Sequence, residues 1–323
     1  MGYYLGIDTS AYTTSLALVN EQEELHWEAR KILAVPSGER GLAQSEALFQ
    51  HVQNLPCLTA EIPADLWRDI AGIGVSTAPR PVKGSYMPVF TAGYGVASSL
   101  ASALNVPLYR TSHQEGHLAA GISSGKLTEI QFLAIHLSGG TTELLQVEKK
   151  EPGKIQIDLL GGTTDLHAGQ FVDRVGVRLG LGFPAGKELE RLAQDADPGA
   201  ASLLPSSVKG FEVSFSGVES AAQRLIDQHV PAAQVARAVE GCVARTIAKL
   251  LQTGIEKTGL KHCLIVGGVA SNQFIRSELN HRLNHKAQLY WAEPEWSRDQ
   301  AIGVALLTSQ GLNEKIITVS MEK

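Results

Sequence analysis

Two histidines four residues apart, His113 and His117, stand in an otherwise small and apolar segment that reads TSHQEGHLAAG. Residues at this spacing lie on one face of a helix, so the two imidazoles could share one metal ion. Ordinary helix histidines have the same spacing, and the pair alone leaves both interpretations open. The segment is not the HExxH motif of zinc peptidases, because Glu115 would point away from the ion's side of the helix.

Two glycine loops each follow an apolar strand, in the segments LSGGTT and VGGVASN. Their backbone amides could bind a phosphate group, and the missing Cβ atoms would let a ligand approach closely. The second loop opens a predicted helix, whose N-terminus carries partial positive charge. Neither loop has the spacing of a P-loop or of GxGxxG.

Two further segments are candidates for ligand binding. Asp173 lies among apolar positions of a predicted helix, which a turn rich in glycine and proline follows as far as Gly186. Its carboxylate is either a surface group or a ligand for ribose hydroxyls. Arg80 and Lys83 lie in the loop APRPVKGSYMP, which three prolines stiffen. This loop is either a solvated connection or a clamp for a phosphate or carboxylate.

The elements that must position these residues alternate between strands and helices, which indicates an α/β architecture. LGIDTSAYTTSLALVN and LAIHLSGGTTELLQVE both run from an apolar strand, through a polar loop ending in Thr-Thr, into a second strand. This repeat predicts two duplicated lobes around a central cleft, as in the actin-like, hexokinase-like ATPase (ASKHA) fold. We expect the lobes at 1–125 and 126–323, with the last helix, about 298–311, free to pack back on the N-terminal lobe. A long helical tract is expected over about 217–258.

The composition is that of an ordinary globular chain, with 44% hydrophobic and 19% charged residues. A net charge of −5 argues against binding nucleic acid through the overall field, although a local basic surface or a partner could supply it. The scattered Cys57, Cys242 and Cys263 favour buried thiols in a reducing compartment over disulfides. With no signal-peptide pattern and no apolar run of roughly 18 residues, we expect a cytoplasmic protein without a membrane span.

A series of segments over almost the full length resembles the motifs of the tRNA adenosine threonylcarbamoyltransferase family. This family is also described as glycoprotease-like, O-sialoglycoprotein endopeptidase-like or peptidase M22-like. The segments are, in order, GIDTS, HQEGH, LSGGTTEL, HAGQFVDRVGVRLGLGFPAG, VSFSG, GGVASN and SRDQAIGVA. The resemblance implies transfer of a threonylcarbamoyl group from its adenylate to the exocyclic amine of the adenosine beside the tRNA anticodon.

The same resemblance implies the residues of the site. Asp299 would join His113 and His117 at one divalent ion, iron or zinc, since two imidazoles and a carboxylate suit either metal. The ion would hold the threonyl part and polarise the carbamoyl carbonyl, while loop amides hold the phosphate of the leaving AMP. The predicted catalytic residues of the first loop are Asp8, Ser10 and Tyr12. The predicted adenine-nucleotide site, for threonylcarbamoyl-AMP, ATP or ADP, is lined by Leu137, Ser138, Gly139, Gly140, Thr141, Asp173, Gly186, Gly267, Gly268 and Asn272.

Several positions depart from the family pattern. Tyr12 stands where the family has an acidic residue that assists transfer, and Thr13 replaces a second acid. Thr141 replaces a histidine, Gln170 a glutamate and Glu219 a basic residue, and APRPVKG replaces a GPG-type loop. The metal and nucleotide positions are kept while positions near the acceptor differ, which indicates a divergent paralog.

The acceptor of the transferred group therefore stays open between three interpretations. The first is a threonylcarbamoyltransferase-like enzyme acting on tRNA with the protein partners of that machinery. The second, favoured by Tyr12, Arg80 and Lys83, is a metal- and nucleotide-dependent carbamoyl transferase or ATPase with a non-tRNA substrate. The third is a non-catalytic partner that binds nucleotide and dimerises with the true enzyme, against which the retained metal ligands argue. A peptidase is disfavoured, because no HExxH or Ser/His/Asp arrangement is present.

Overall fold

The computed structural model describes residues 2–10, 12–35, 42–297 and 301–321, and side chains in the last helix up to residue 313. The described strands are β1 (Tyr3–Ser10), β2 (Thr13–Asn20), β3 (Leu25–Ile32), β4 (Ile70–Ser76), β5 (Leu108–Thr111), β6 (Gln131–Leu137), β7 (Thr142–Lys149), β8 (Ile155–Thr163), β9 (Val208–Lys209), β10 (Glu212–Val213), β11 (His262–Val266) and β12 (Gln288–Trp291). The described helices are α1 (Gln44–Ala60), α2 (Ala64–Trp67), α3 (Phe90–Leu104), α4 (His113–Ser124), α5 (Ala168–Arg178), α6 (Gly186–Ala193), α7 (Ser216–Asp227), α8 (Ala232–Thr258), α9 (Gln273–Leu283) and α10 (Ile302–Met321).

The chain forms two compact units. The first comprises the described residues of 1–124, 149–156 and 298–323, and the second comprises 125–148 and 157–297. The last helix, α10, thus belongs to the same unit as β1. Within the described residues, no helix combines the length and the apolar character that crossing a membrane requires.

The sheet of the first unit has the strand order β3-β2-β1-β4-β5. β1, β2 and β3 pair antiparallel, whereas β4 is parallel to β1 and β5 is parallel to β4. Successive side chains of a strand point to opposite faces. A Cβ on Gly6 would lie 2.5 Å from the Ala301 carbonyl oxygen, whereas Gly93 of α3 contacts Thr9. Asp8 has the same parity as Gly6, so it lies on the face that α10 covers.

Helix α4 begins at its first histidine because a capping box stops the preceding segment there. The Ser112 amide and hydroxyl both donate to Glu115 Oε2, at 2.8 and 2.6 Å, and the Glu115 amide donates back to Ser112 Oγ at 3.3 Å. This reciprocal arrangement satisfies amide groups that the first turn of a helix leaves open. Glu115 therefore caps the N-terminus of α4, and its carboxylate is engaged with Ser112.

The sheet of the second unit has the order β12-β11-β6-β7-β8-β10-β9. The antiparallel β6 and β7, with β8 beyond and the parallel β11 and β12 on the other side, repeat the order of the first sheet. The predicted internal repeat is therefore confirmed in the topology. The tract expected over 217–258 is two helices, α7 and α8, because Pro231 lies at the N-cap of α8 and favours starting a helix over continuing one.

Candidate functional site

A buried carboxylate, Asp8, lies at the end of β1 in the first unit. Its Oδ1 is 3.1 Å from His113 Nδ1 and accepts a hydrogen bond from Ser76 Oγ, while the Ser10 amide donates to Oδ2 at 3.3 Å. Burial alone would raise the pKa of Asp8, but the neighbouring His113 and the hydrogen bonds from His113, Ser76 and Ser10 hold the pKa below its ordinary value. Asp8 is therefore ionised at neutral pH despite its complete burial.

The two histidines of α4 share one face, as their spacing predicts. His113 Nε2 and His117 Nε2 lie 3.0 Å apart, and the two ring centroids are separated by 4.4 Å. Two imidazole nitrogens bound tetrahedrally to one zinc ion are roughly 3.3 Å apart, given Zn–N bonds of about 2.0–2.1 Å. Since Asp8 engages Nδ1 of His113, the Nε2 atom is the one that faces His117, the orientation that a carboxylate gives to metal-binding histidines.

The third predicted ligand, Asp299, lies outside the described residues. Within the described part of the chain, no group of three or more His, Cys, Asp and Glu residues is arranged to hold a metal ion. The residues that follow Asp299, however, pack against this site. A Cβ on Gly303 would lie 1.8 Å from the Gly116 carbonyl oxygen on α4, and Ala301 contacts Gly6 of β1. The helix α10 thus begins directly beside the elements that carry both histidines and the buried aspartate.

The end of strand β1 brings two of the three predicted catalytic residues together, since the strand extends through the predicted loop as far as Ser10. Ser10 is buried beside Asp8, and its Oγ makes no hydrogen bond within the described residues. Tyr12 is 40% exposed in the turn between the strands. The structure therefore groups Asp8 with Ser10 and places Tyr12 at the surface.

The loop with the predicted anion clamp is attached to the first turn of α4. The His113 amide donates to the Ala78 carbonyl at 2.9 Å, and the Gln114 amide donates to the Pro79 carbonyl at 3.0 Å. Arg80 and Lys83 follow directly and are both exposed. Their charges consequently lie in the same unit as the histidine pair, on the loop that these two hydrogen bonds attach to α4.

In the second unit, the loop between β6 and β7 is packed on one side and open on the other. A Cβ on Gly169, in the first turn of α5, would lie 2.7 Å from Gly139 Cα. The Ser138 amide donates to the Thr141 carbonyl at 2.8 Å, which closes the loop. A Cβ on Gly139 or Gly140 would meet no atom within 4 Å. The free side of the loop could therefore receive a ligand.

The second glycine loop leaves the neighbouring strand β11. Gly267 has a φ of 99°, and a Cβ there would lie 2.2 Å from the Leu137 carbonyl oxygen. A single 3-10 turn, Gly268–Ser271, then separates the loop from α9. Since β6 and β11 are adjacent and parallel, both loops leave the same edge of the sheet, where ligands of open α/β sheets bind.

The loop opens a helix as predicted, but the first turn of α9 is already capped by side chains. The Gln273 amide donates to Glu190 Oε1 at 2.7 Å, and the Ile275 amide donates to Asn272 Oδ1 at 2.8 Å. A carboxylate and a side-chain amide thus occupy donors that a phosphate would need. Amides available to a phosphate in this segment would be those of the preceding glycines.

Asp173 and Gly186 lie on either side of the turn that joins α5 to α6. Asp173 Oδ1 accepts a hydrogen bond from the Ala185 amide at 2.8 Å, while Oδ2 accepts none within the described residues. Burial raises the pKa of Asp173, and the Ala185 hydrogen bond opposes that rise. A Cβ on Gly186 would meet no atom within 4 Å. The structure therefore gathers the predicted nucleotide residues on three connected loops of the second unit.

Comparisons with known proteins give the family of the chain. The family model of tRNA N6-adenosine threonylcarbamoyltransferase matches residues 35–306. The chain belongs to this family. Among its curated relatives, the tRNA N6-adenosine threonylcarbamoyltransferase of Thermus thermophilus is 31% identical over 85% of this chain and 83% of its own length. The enzyme of that name from Nitrosospira multiformis is 31% identical over 93% of this chain and 88% of its own length.

As a member of the threonylcarbamoyltransferase family, the chain is a transferase. Solved structures confirm its predicted ASKHA fold. HypF of T. kodakarensis has a TM-score of 0.62 and 15% identity, over 97% of this chain and 48% of that one. A ROK family glucokinase from Streptomyces griseus, in complex with glucose and AMPPNP, has a TM-score of 0.54 and 14% identity, over 96% and 100% of the two chains. At these identities the likeness is one of fold alone.

Sequence reasoning missed two polar residues of the first unit that lie close to the predicted catalytic residues. Ser76, at the end of β4, donates to Asp8. Because β4 is a parallel neighbour of β1, the meeting of their carboxyl ends could have suggested this contact. His51 of α1 is completely buried, with Nδ1 2.8 Å from Thr14 Oγ1. Burial lowers the pKa of His51, although the nearby charge of Asp8 opposes this. No motif marks His51, because its place depends on the packing of α1 against β2.

Proposed function

We propose that this chain is a metal-dependent enzyme that transfers threonylcarbamoyl from threonylcarbamoyl-AMP to the adenosine beside the tRNA anticodon. The observation that carries the proposal is the facing pair of Nε2 atoms of His113 and His117, with Asp8 engaging His113 from behind. Family membership supports the reaction type. The partners implied are tRNA and the other proteins of the threonylcarbamoylation machinery.

The residues present fit a divalent iron or zinc ion. His113 Nε2 and His117 Nε2 would hold it, and Asp299 would complete the set, since Ala301 and Gly303 already pack against β1 and α4. When bound, the ion supplies Lewis-acid polarisation of the carbamoyl carbonyl. Asp8 keeps the imidazole of His113 in one tautomer and one orientation.

The chain's own groups would position the two substrates. The amides of Ser138 and Gly140 already donate within the β6–β7 loop, so its remaining amides would hold the phosphate of the leaving AMP. Asp173 Oδ2 would accept hydrogen bonds from ribose hydroxyls. Transfer breaks the bond from the carbamoyl carbon to the phosphate oxygen and forms a bond to the acceptor nitrogen, which loses a proton. Ser10 Oγ, buried and without a hydrogen-bond partner in the described residues, would orient the reacting carbamoyl group, and exposed Tyr12 would contact the acceptor.

A second candidate acceptor is a small molecule or protein group that carries negative charge. The observation that favours it is the attachment of the Arg80–Lys83 loop to the first turn of α4 through the amides of His113 and Gln114. The two cationic side chains of a loop attached to α4 would suit a phosphate or carboxylate group of the acceptor.

The test incubates the purified protein with threonylcarbamoyl-AMP and unmodified tRNA, with and without the partner proteins, and analyses the nucleosides by mass spectrometry. We expect threonylcarbamoyladenosine from the wild type and none from His117→Ala. Metal-loaded protein that gives no modified adenosine under any condition would overturn the tRNA proposal. AMP release that depends on an added anionic acceptor would then identify the second candidate.

A further inference from the structure

The side chain of Asn272 is held from two sides in the second unit. Its Oδ1 accepts the hydrogen bond from the Ile275 amide at 2.8 Å, and its Nδ2 donates to Glu240 Oε1 at 2.6 Å. These two bonds distinguish the oxygen from the nitrogen and fix which way the amide faces. Within the described residues, one N–H of Nδ2 and one lone pair of Oδ1 have no hydrogen-bond partner and could meet a ligand.

Glu240 is itself clamped within α8 and cannot reach a ligand. Its residue is 0% exposed, and Oε2 accepts from Arg237 Nη1 at 2.8 Å. The guanidinium of Arg237 also donates to the Ala193 carbonyl at 2.8 Å and lies 4.0 Å from the ring centroid of Phe274. Replacing a buried ion pair by apolar residues is often neutral for stability, so the pair is weak grounds for a purely stabilising role.

We propose that Glu240 is a positioning residue of the nucleotide site, which turns the Asn272 amide so that its free N–H faces an acceptor atom of an adenine nucleotide. The inference rests on the proposed function, since Asn272 is assigned to the nucleotide there. Asn272 ends the 3-10 turn that follows Gly267, and the close approach of Gly267 to Leu137 brings this segment next to the β6–β7 loop. Without Glu240, the amide keeps only its bond to the Ile275 amide and gains rotational freedom.

The protonation of Glu240 should make the hold on Asn272 depend on pH. Burial raises the pKa of Glu240 to about 7, against the Asn272 hydrogen bond and the charge of Arg237, while Glu190 of α6 raises it further. Both carboxylate oxygens accept N–H donors, so a proton on either one displaces a donor. Asn272 should therefore be held less firmly as the pH falls below neutrality.

The experiment measures ADP binding by calorimetry at about pH 8 and about pH 6, on either side of the Glu240 pKa, for the wild type, Glu240→Gln and Thr246→Val. Glutamine cannot accept from Asn272 and Arg237 at once through two oxygens. We expect Glu240→Gln to raise the Kd for ADP about tenfold at the higher pH, the size of one lost charge-assisted hydrogen bond. The wild type should lose affinity at the lower pH, and the variant should lose much less.

Thr246→Val is the matched control, because Thr246 is a buried polar residue of the same helix whose Oγ1 accepts from the Ser207 amide at 3.0 Å, away from Asn272. It should lower the melting temperature and leave the ADP affinity unchanged. Equal ADP binding by the wild type and Glu240→Gln at both pH values would overturn the positioning role alone. A wild type that binds no ADP would overturn the nucleotide site itself and this role with it, and the two results are distinct.

Discussion

Nε2 of His113 and Nε2 of His117 face each other at 3.0 Å, while Nδ1 of His113 is 3.1 Å from the buried carboxylate of Asp8. Asp8 therefore fixes the orientation of the His113 imidazole, with Nε2 directed at His117. A carboxylate on the far nitrogen of an imidazole raises the basicity of the metal-binding nitrogen and fixes the orientation of the ring.

Metal content should follow these contacts. His113→Ala and His117→Ala should lose the bound metal, and Asp8→Asn should retain the ligands but bind metal about 10–100-fold more weakly. Elemental analysis of purified protein and competition with a chelator measure the two effects. His281→Ala, which removes an exposed histidine of α9, is the control and should leave the metal content unchanged. Full metal retention by both α4 variants would refute the ligand assignment.

The approach of α10 to α4 should not tolerate a methyl group. In Gly303→Ala the new Cβ would meet the Gly116 backbone, so helix α10 must move. We expect a loss of about 1–3 kcal/mol in the free energy of unfolding, together with weaker metal binding. Chemical denaturation and metal titration test this. Gly95→Ala on α3, where a Cβ meets nothing within 4 Å, should instead be stabilising by about 0.5–1 kcal/mol. The idea fails if the two variants behave alike.

Glu240 should make stability decrease with rising pH. Its pKa is raised to about 7 in the folded protein from 4.5 in the unfolded chain, so the folded state holds the proton over that interval and the unfolded state does not. The contribution is fully present below pH 4.5 and is lost as the pH rises through about 7, by about 3 kcal/mol in total. Denaturation of the wild type and Glu240→Gln at several pH values measures the difference in slope. Parallel profiles for the two proteins would contradict the assignment.

Asp165 should show the opposite sign. Its carboxylate accepts hydrogen bonds from Ser214 Oγ at 2.6 Å and from the Phe215 amide at 2.9 Å. The Ser216 hydroxyl, at the start of α7, also donates to it. Burial would raise the pKa of Asp165, but these hydrogen bonds lower it far more. The stabilisation is present above the ordinary aspartate pKa and disappears as the pH falls below it. Asp165→Asn should therefore cost about 1 kcal/mol at pH 7, as a lost helix cap does, and little in strong acid. Urea denaturation at both pH values is the measurement.

The sequence predicted those features that depend on local order. The face shared by His113 and His117 follows from helical spacing, and the repeated hairpin follows from alternating apolar strands. The break between α7 and α8 was also within reach, since Pro231 marks it. Glu240 was not, because a glutamate in a helical tract reads as a surface charge. The burial of Glu240 depends on its contacts with Arg237 and Asn272. Arg237 is one turn away on the same helix, but tertiary packing brings Asn272 to Glu240, and no local sequence pattern predicts that packing.

The first unit is assembled from distant parts of the chain, and this has a consequence for the order of synthesis. β1 leaves the ribosome early, but α10, which covers Gly6 and the same face of the sheet, follows some three hundred residues later. Until then the face of the sheet that carries Gly6 and Asp8 lacks its helix, and the Asp8 carboxylate is not yet buried. The second unit, by contrast, is complete before α10 emerges. The metal site would therefore be among the last features to form, and ion loading would report that the chain has been fully made and folded.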